Sequence, residues 1–212
     1  MAPKVVLVSG MAGSGKTRFI ENALEHLTKK GQKVFILNLD PAVIFTGYES
    51  NLDIRDIVDY KKLQEGGLGC NGAITASLLL FVCVIDQVMA ILSKTECDYI
   101  LVDTPGQIES LVMSSFGGIL VDVLKSLFET GIVFVIDGSR CHDPQVAIAN
   151  QMYSKSLLYR HRIPVVNFYN RQTFTDIPLI KDTNAHNHFL LGLQELLSEF
   201  DAQTIENTFN FL

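Results

Sequence analysis

"GMAGSGKT", Gly10 to Thr17, is the stretch that decides the fold, because it fills every fixed position of the pattern GxxxxGK[ST]. The preceding run "KVVLVSG", Lys4 to Gly10, is apolar and rich in β-branched residues, which predicts a buried parallel strand. The following "GKTRFIENALEHLTKKG" repeats apolar residues at helical spacing and ends at Gly31, which suits a helix cap. A glycine-rich turn between a strand and a helix predicts a phosphate-binding loop.

Backbone N–H groups of such a loop point at phosphate, and the dipole of the following helix adds to the attraction. Within the loop, the Lys16 ammonium would reach the outer phosphates and the Thr17 hydroxyl would bind Mg²⁺. Arg18 is a further candidate for nucleotide contact, although its place on the helix surface favours a solvent-exposed role. The alternative is a glycine-rich turn that binds nothing. The expected phosphate contacts are Gly13, Ser14, Gly15, Lys16 and Thr17.

The strand pattern recurs four more times, with helical stretches such as Gln145 to Tyr159 in between. Strands that alternate with helices predict an α/β fold with a doubly wound, mostly parallel sheet, the fold class of a P-loop NTPase. The segment from about 42 to 97 is mostly helical and longer than a normal crossover, so we expect one domain over residues 1–212 with a helical insertion. The tail predicts a helix near 189–200 and a short strand within "TIENTFNFL". The further strands are "KVFILNLD" at 33–40, "DYILVDTPG" at 98–106, "GIVFVIDGS" at 131–139 and "IPVVNFY" at 163–169.

Four residues lie at or just beyond the carboxyl ends of the predicted strands and should line the ligand crevice, which is found there in such sheets. Asp103 is the expected Mg²⁺ ligand, directly or through water. Gly106 would offer its N–H to the γ-phosphate, and Gln107 follows where a side chain would orient water. Asp40 would order the attacking water, accept its proton or contact Mg²⁺ through water. A purely local role for Asp40, forming the turn at "DPA", is the open alternative.

Composition narrows the range of partners and compartments. The 212 residues carry a net charge of −6, which gives no electrostatic support for direct contact with nucleic acid. The N-terminus lacks the features of a secretory signal. The cysteines are scattered without a close pair, so they predict neither a zinc site nor a disulfide framework, and a reduced intracellular setting fits best. They are Cys70, Cys83, Cys97 and Cys141.

The most apolar segment, Ala73 to Leu92, is about as long as a membrane span. Asp86 and Gln87 lie near its C-terminal end, where a lone charge would be costly in lipid, and no basic flank anchors it. We therefore expect no membrane contact but a helix that is buried in the protein or in a subunit interface.

Six motifs, in this order, resemble those of the GPN-loop GTPases, a family of P-loop GTPases: "GMAGSGKT", "NLDPA", "NLDIRDIVDY", "GLGCNGAI", "DTPGQIE" and "FVIDGSR". The resemblance covers about residues 3–170. The segments "DIRDIVDYKKL" and "DQVM" are most similar to the eukaryotic branch associated with assembly and nuclear import of RNA polymerase II. That branch implies RNA polymerase II subunits or assembly factors as partners, and a cytoplasmic protein that shuttles to the nucleus.

The resemblance also implies Mg²⁺-dependent hydrolysis of GTP to GDP in a homodimer, or in a heterodimer with a related GTPase. The family's Gly-Pro-Asn loop reaches into the partner subunit's site, where its Asn contacts the γ-phosphate or the phosphate product. The matching positions here are Gly69, Cys70 and Asn71, so Asn71 joins Asp40 and Gln107 as an expected catalytic residue. Cys70 stands where the family has Pro, and the loss of a fixed φ should soften the loop.

A second departure concerns the base. The family recognises guanine with N-K-x-D, and the matching segment here is "NRQT". Asn170 is kept as a nucleotide contact, whereas Arg171 replaces Lys and Thr173 replaces the Asp that accepts two hydrogen bonds from guanine. Losing that acceptor should weaken base discrimination, and Asp176 would substitute only in a remodelled loop. Two alternatives stay open beside a GTPase: a scaffold of the same fold that does not hydrolyse nucleotide, and a P-loop ATPase.

Overall fold

The structure is a computed structural model, and it describes residues 2–170. Within these residues the β-sheet is parallel throughout. The strands are β1 (Lys4–Gly10), β2 (Val34–Asn38), β3 (Leu52–Asp53), β4 (Tyr99–Asp103), β5 (Glu129–Asp137) and β6 (Val165–Asn170). They lie in the order β3-β2-β4-β1-β5-β6, and each neighbouring pair is parallel. The predicted doubly wound α/β sheet is confirmed. The predictions for positions 171, 173 and 176 and for the tail lie outside the described residues.

Helices cover both faces of the sheet. Side chains alternate along β1, so Val6 and Val8 pack with α1 while Val5 and Leu7 pack with the helices of the other face. Helix α1 ends as predicted, with Lys30 as its cap and Gly31 in the left-handed conformation at φ +74°. The helices are α1 (Lys16–Lys29), α2 (Tyr60–Glu65), α3 (Cys70–Val82), α4 (Ile85–Lys94), α5 (Glu109–Val112), α6 (Ser115–Leu127) and α7 (Pro144–His161), with 3₁₀ turns at Ile54–Asp56 and Gly138–Arg140.

The segment between β2 and β4 contributes a strand to the sheet, which its sequence did not indicate. Strand β3 pairs with β2 through only two residue pairs, Leu37 with Leu52 and Asn38 with Asp53. The side chain of Asn51 extends this short pairing, because its Oδ1 accepts the N–H of Ile36 at 2.7 Å. Helices α2, α3 and α4 follow, so the segment is mostly helical but begins as an edge of the sheet.

The apolar segment from Ala73 to Leu92, predicted as one helix, forms two. Helix α3 ends at Val82 and α4 begins at Ile85, with a bend of 63° between them. No single helix within residues 2–170 is long and apolar enough to cross a membrane. Among the described residues, only the bent pair of α3 and α4, taken together, has the length and composition of a span. Helix α3 buries Leu78 and Phe81 in the core, while other apolar side chains on it remain exposed.

Candidate functional site

The phosphate loop is a closed turn whose glycines adopt backbone angles that other residues rarely take. Gly13 has φ +78° and Gly15 has φ +99°, both in the left-handed region. The N–H of Ser14 donates to the carbonyl of Met11 at 3.2 Å and closes the turn. Gly15 caps α1, and a Cβ at this position would collide with the side-chain amide of Asn170. The loop is therefore the glycine-dependent turn between β1 and α1 that the sequence predicts, and it ends at the N-terminus of α1.

Lys16 is buried and folds back over the loop. Its Nζ donates to the carbonyl oxygens of Gly10 at 3.1 Å and Met11 at 3.3 Å. Burial lowers the pKa of Lys16, and the charges of Asp103 and Asp40 act in the opposite direction. The ammonium is therefore held against the backbone of the loop by two carbonyl oxygens.

Asp103 ends β4 and lies at one end of a row of polar residues along the carboxyl edge of the sheet, with the apolar Val8 in register on its other side. In that row Asn38 is in register with Asp103 on one side and with Asp53 on the other. Asp103 is 3% exposed, and its Oδ2 accepts hydrogen bonds from the Thr17 hydroxyl at 3.5 Å and the Tyr48 hydroxyl at 2.5 Å. Burial raises the pKa of Asp103 to about 6, although the Tyr48 bond and the Lys16 charge oppose the rise.

Thr17 and Asp103 fit a magnesium site. A hydroxyl and a carboxylate are the oxygen ligands that Mg²⁺ takes in nucleotide sites, where phosphate oxygens and waters complete its coordination. Residues 2–170 contain no group of three or more His, Cys, Asp or Glu side chains that would hold a metal by themselves. The donor set therefore suits a metal that arrives with a phosphate ligand.

Asp40 lies two residues beyond β2, because the strand ends earlier than its sequence suggested. The Asn38 side chain bends the backbone there: its Oδ1 accepts the N–H of Asp40 at 3.0 Å. Asp40 in turn accepts the N–H of Ala42 through its own Oδ1 at 3.0 Å, so it does form the turn at "DPA". The charge of Asp40 also acts to raise the pKa of both Lys16 and Asp103.

Arg55 is tied into the fold and does not extend toward a ligand. It forms a bidentate ion pair with Asp53, at 2.8 Å from Nε and 2.7 Å from Nη2, and its Nη1 donates to Val43 at 3.1 Å. Burial would raise the pKa of Asp53, but the bonds from Arg55 and Asn38 outweigh it and lower the pKa to about 2. This network fastens β3 and the loop after β2.

Asn71 lies in the first turn of α3, which corrects the expectation that the helix begins at Ala73. Gly69 is the N-cap and Cys70 is the first helical residue. The side-chain amide of Gln107 donates to the side-chain oxygen Oδ1 of Asn71 in the same chain, in an exposed hydrogen bond. Cys70 accepts from the Gln64 side chain at 3.2 Å. The structure thus brings two expected catalytic side chains together within one subunit.

The remaining candidates lie around the loop. Asn170 donates to the Ser14 carbonyl at 3.0 Å, which places the start of the expected base-contacting motif against the phosphate loop. Gly106 packs against Ala12, where a Cβ would lie 3.1 Å from the Ala12 Cα. Arg18 pairs with Glu21 at 3.2 Å on the helix surface, in keeping with a solvent-exposed side chain.

Tyr48 is the site residue that sequence reasoning missed. It lies in the irregular loop between β2 and β3, is 7% exposed, and packs in the core beneath α1. No motif marks it, and its contact with Asp103 joins positions 55 residues apart. Only the fold reveals that its hydroxyl reaches the carboxylate.

A glycine-rich loop between β1 and α1, with a buried lysine, a hydroxyl and a strand-end aspartate around it, defines a P-loop NTPase. Comparisons with known proteins agree. A family model described as "Conserved hypothetical ATP binding protein" matches residues 8–208. Relatives of the chain are named GPN-loop GTPases, and the chain belongs to that family.

Two fungal relatives carry the name of the family. The chain is 42% identical over 182 residues to GPN-loop GTPase 1 of Schizosaccharomyces pombe, covering 84% of this chain and 50% of that protein. It is 39% identical over 174 residues to GPN-loop GTPase 1 of Saccharomyces cerevisiae, covering 81% and 45%. The chain thus spans about half the length of the curated relatives it matches.

A solved structure supports the same fold. The apo crystal structure of a GTPase from Pyrococcus abyssi superimposes with a TM-score of 0.69 at 28% sequence identity. The match covers 78% of this chain and 66% of that one.

Proposed function

We propose that the chain binds GTP with Mg²⁺ and hydrolyses it to GDP as a subunit of a dimer. One observation carries the proposal: the Thr17 hydroxyl and the Asp103 carboxylate meet at 3.5 Å beside the buried ammonium of Lys16. These three groups are the ones that bind Mg²⁺ and the outer phosphates in P-loop NTPases. The names of the relatives support GTP as the nucleotide, because each is called a GPN-loop GTPase.

In this proposal, the backbone of Gly13 to Thr17 cradles the phosphates and Lys16 exchanges its two carbonyl partners for phosphate oxygens. Thr17 and Asp103 hold Mg²⁺, which supplies positive charge against the phosphates when bound. The amide of Gly106, which packs against the loop, offers its N–H to the γ-phosphate. These groups act mainly by positioning and by electrostatics, as phosphoryl transfer requires.

Water activation falls to Asp40 and Gln107. Asp40 uses Oδ1 for its turn, which leaves Oδ2 to orient a water or accept its proton. The side chain of Gln107 is hydrogen-bonded to Asn71. We propose that GTP binding in the dimer breaks this bond and frees Gln107 to orient the attacking water. Asn71 then serves the γ-phosphate of the second subunit, as the family resemblance implies.

The dimer proposal rests on apolar side chains that helix α3 leaves exposed. Leu79 is 44% and Leu80 47% exposed, and Leu68 just before the helix and Ile91 on α4 are similarly accessible. Apolar groups on the two insertion helices fit an interface between subunits, in a homodimer or with a related GTPase. The similarity of "DIRDIVDYKKL" and "DQVM" to the RNA polymerase II branch supports a role in assembly or nuclear import of that enzyme, in cytoplasm and nucleus.

Titration of the purified chain with GTP, GDP and ATP, each with and without Mg²⁺, tests the nucleotide. We expect GTP and GDP to bind in the presence of Mg²⁺ and GTP to be hydrolysed. Tight binding of ATP but not GTP would identify an ATPase, and binding without turnover, or no binding, would favour the scaffold. Sedimentation of the same samples reads the oligomeric state, and a monomer under every nucleotide condition contradicts the dimer.

A further inference from the structure

We propose that Tyr48 is a positioning residue of the magnesium site, whose hydroxyl sets the orientation of the Asp103 carboxylate. The inference rests on the proposed nucleotide function and deepens it. Tyr48 would not touch nucleotide or metal; it would act through Asp103 and link the loop after β2 to the site.

The geometry at Asp103 carries the proposal. Tyr48 donates to Oδ2 at 2.5 Å, and the Thr17 hydroxyl, in the first turn of α1, donates to the same oxygen at 3.5 Å. Both contacts end on one oxygen, so the carboxylate is oriented from that side and Oδ1 is left for Mg²⁺ or for a water on it. Partners that orient a metal ligand in this way contribute to metal affinity, although they do not touch the metal.

The Tyr48 hydroxyl is a fixed donor, because the chain is fastened on both sides of it. Before it, the Thr46 hydroxyl donates to the Tyr48 carbonyl at 2.9 Å, and Gly47 lies so close to Glu21 that a Cβ would collide with the carboxylate. After it, the Ser50 hydroxyl donates to Asp53 at 3.0 Å. A tyrosine hydroxyl is protonated at neutral pH, so it can donate to the carboxylate.

The competing explanation is a core tyrosine whose hydroxyl simply satisfies its hydrogen bond on the nearest acceptor. Such a role would cost stability when the hydroxyl is removed but would leave metal affinity unchanged. Tyr169 provides a matched control, because it is also buried and its hydroxyl forms a hydrogen bond with Gln151. It lies on β6, which is separated from β4, the strand of Asp103, by β1 and β5.

The experiment compares Tyr48→Phe with Tyr169→Phe in the full chain. With GDP saturating, free Mn²⁺ is measured by electron paramagnetic resonance as the ion is titrated. We expect Tyr48→Phe to weaken Mn²⁺ binding by about tenfold, since loss of an orienting partner typically weakens metal affinity by roughly that much or more. Tyr169→Phe should bind Mn²⁺ as the wild type does, while both variants lose a similar amount of thermal stability.

Equal Mn²⁺ affinity in Tyr48→Phe and wild type would overturn the inference. So would tighter binding, which would mean that the hydroxyl competes with the metal for the carboxylate. Should Tyr48→Phe fail to fold, 3-fluorotyrosine placed at position 48 keeps the hydroxyl. Its ¹⁹F resonance should shift when Mg²⁺ is added to the GDP-bound chain, and an unmoved resonance counts against the inference. Failure of the wild type to bind GDP would instead refute the proposed function, before any variant is made.

Discussion

Two regions at the carboxyl edge of the sheet differ in how firmly the fold holds them. The polar groups of Lys16 and Asp103 are buried. The Lys16 ammonium is bonded to a backbone carbonyl of β1, and the Asp103 carboxylate to hydroxyls from α1 and from the loop after β2. Around Asn71, at the start of α3, the hydrogen bonds are made at the surface with the side chains of Gln107 and Gln64. Both regions belong to the proposed site, yet only the first is built into the core.

The difference suggests a division of work. A buried constellation is preorganised, so it binds a ligand without first ordering itself. An exposed contact between two amides costs little to break, because water replaces either partner. We therefore expect nucleotide binding to depend on the buried region, and turnover to depend on where the exposed region places its amides.

The largest expected effect tests the buried region. Lys16→Met removes the ammonium that would contact the outer phosphates, and we expect GTP affinity to fall by about 100-fold, the equivalent of two charged hydrogen bonds at the low end of their range. Isothermal titration with GTP and Mg²⁺ measures the change.

Lys29→Met is the matched control, because Lys29 lies on the same helix but pairs with Glu25 at the surface at 2.6 Å. This variant should bind GTP as the wild type does. Circular dichroism establishes that both variants fold. Retained affinity in a folded Lys16→Met chain would remove the buried region from phosphate binding and end the comparison.

A smaller effect is expected from the exposed region. Asn71→Ala should lower GTP turnover by about tenfold, roughly the contribution of one hydrogen bond made in the transition state, while GTP affinity is largely kept. Gln107→Ala should act similarly. If the two amides work as a unit, the double variant should lose about as much as either single one, which a double-mutant cycle on turnover measures.

Thr75→Ala is the control on the same helix, because the Thr75 hydroxyl donates to the main-chain carbonyl of Asn71 at 3.0 Å and does not contact either side-chain amide. It should leave turnover near the wild-type value. Unchanged turnover in Asn71→Ala would remove this residue from catalysis, and additive losses would show that Asn71 and Gln107 act separately.

The same contrast explains what could be predicted from the sequence. The phosphate loop is contiguous, so its spacing alone located Lys16 and Thr17. Asp103 could be placed beside them because parallel strands bring their carboxyl ends to one edge. In the structure Asp103 is in register with Val8 of β1, two residues before the phosphate loop begins at Gly10, so it does lie at that edge. Local pattern and topology were sufficient wherever a residue's role follows from the end of a strand.

Features that depend on tertiary contacts could not be predicted. Strand β3 is two residues long and too short to show a period. Asn71 and Gln107 are 36 residues apart, and nothing local links them. The start of α3 was misjudged because glycines on either side of Cys70 disfavour a helix, whereas packing of Ile74 and Leu78 in the core supports one from Cys70 onward.

The smallest effect sharpens the comparison at Cys70, where the family has proline. Cys70 is the first residue of α3, the helical position that proline favours because its N–H is not needed there. Gly69 before it has φ −60° and ψ 168°, the extended conformation that a following proline prefers. Cys70→Pro should therefore fit the existing backbone and raise the free energy of unfolding by about 0.4–1 kcal/mol, mainly by restricting the unfolded chain.

Urea denaturation of Cys70→Pro beside Cys70→Ala separates the ring from the loss of sulfur, because both lose the contact of Cys70 with Gln64. Cys70→Ala should change stability by less than about 0.5 kcal/mol, as surface substitutions usually do. A Cys70→Pro chain less stable than Cys70→Ala would show that the backbone at Gly69 does not match a Gly-Pro-Asn turn. A more stable chain with unchanged turnover would show that the cysteine softens this segment without impairing catalysis, because the Asn71 amide is positioned by α3 and not by the residue before it.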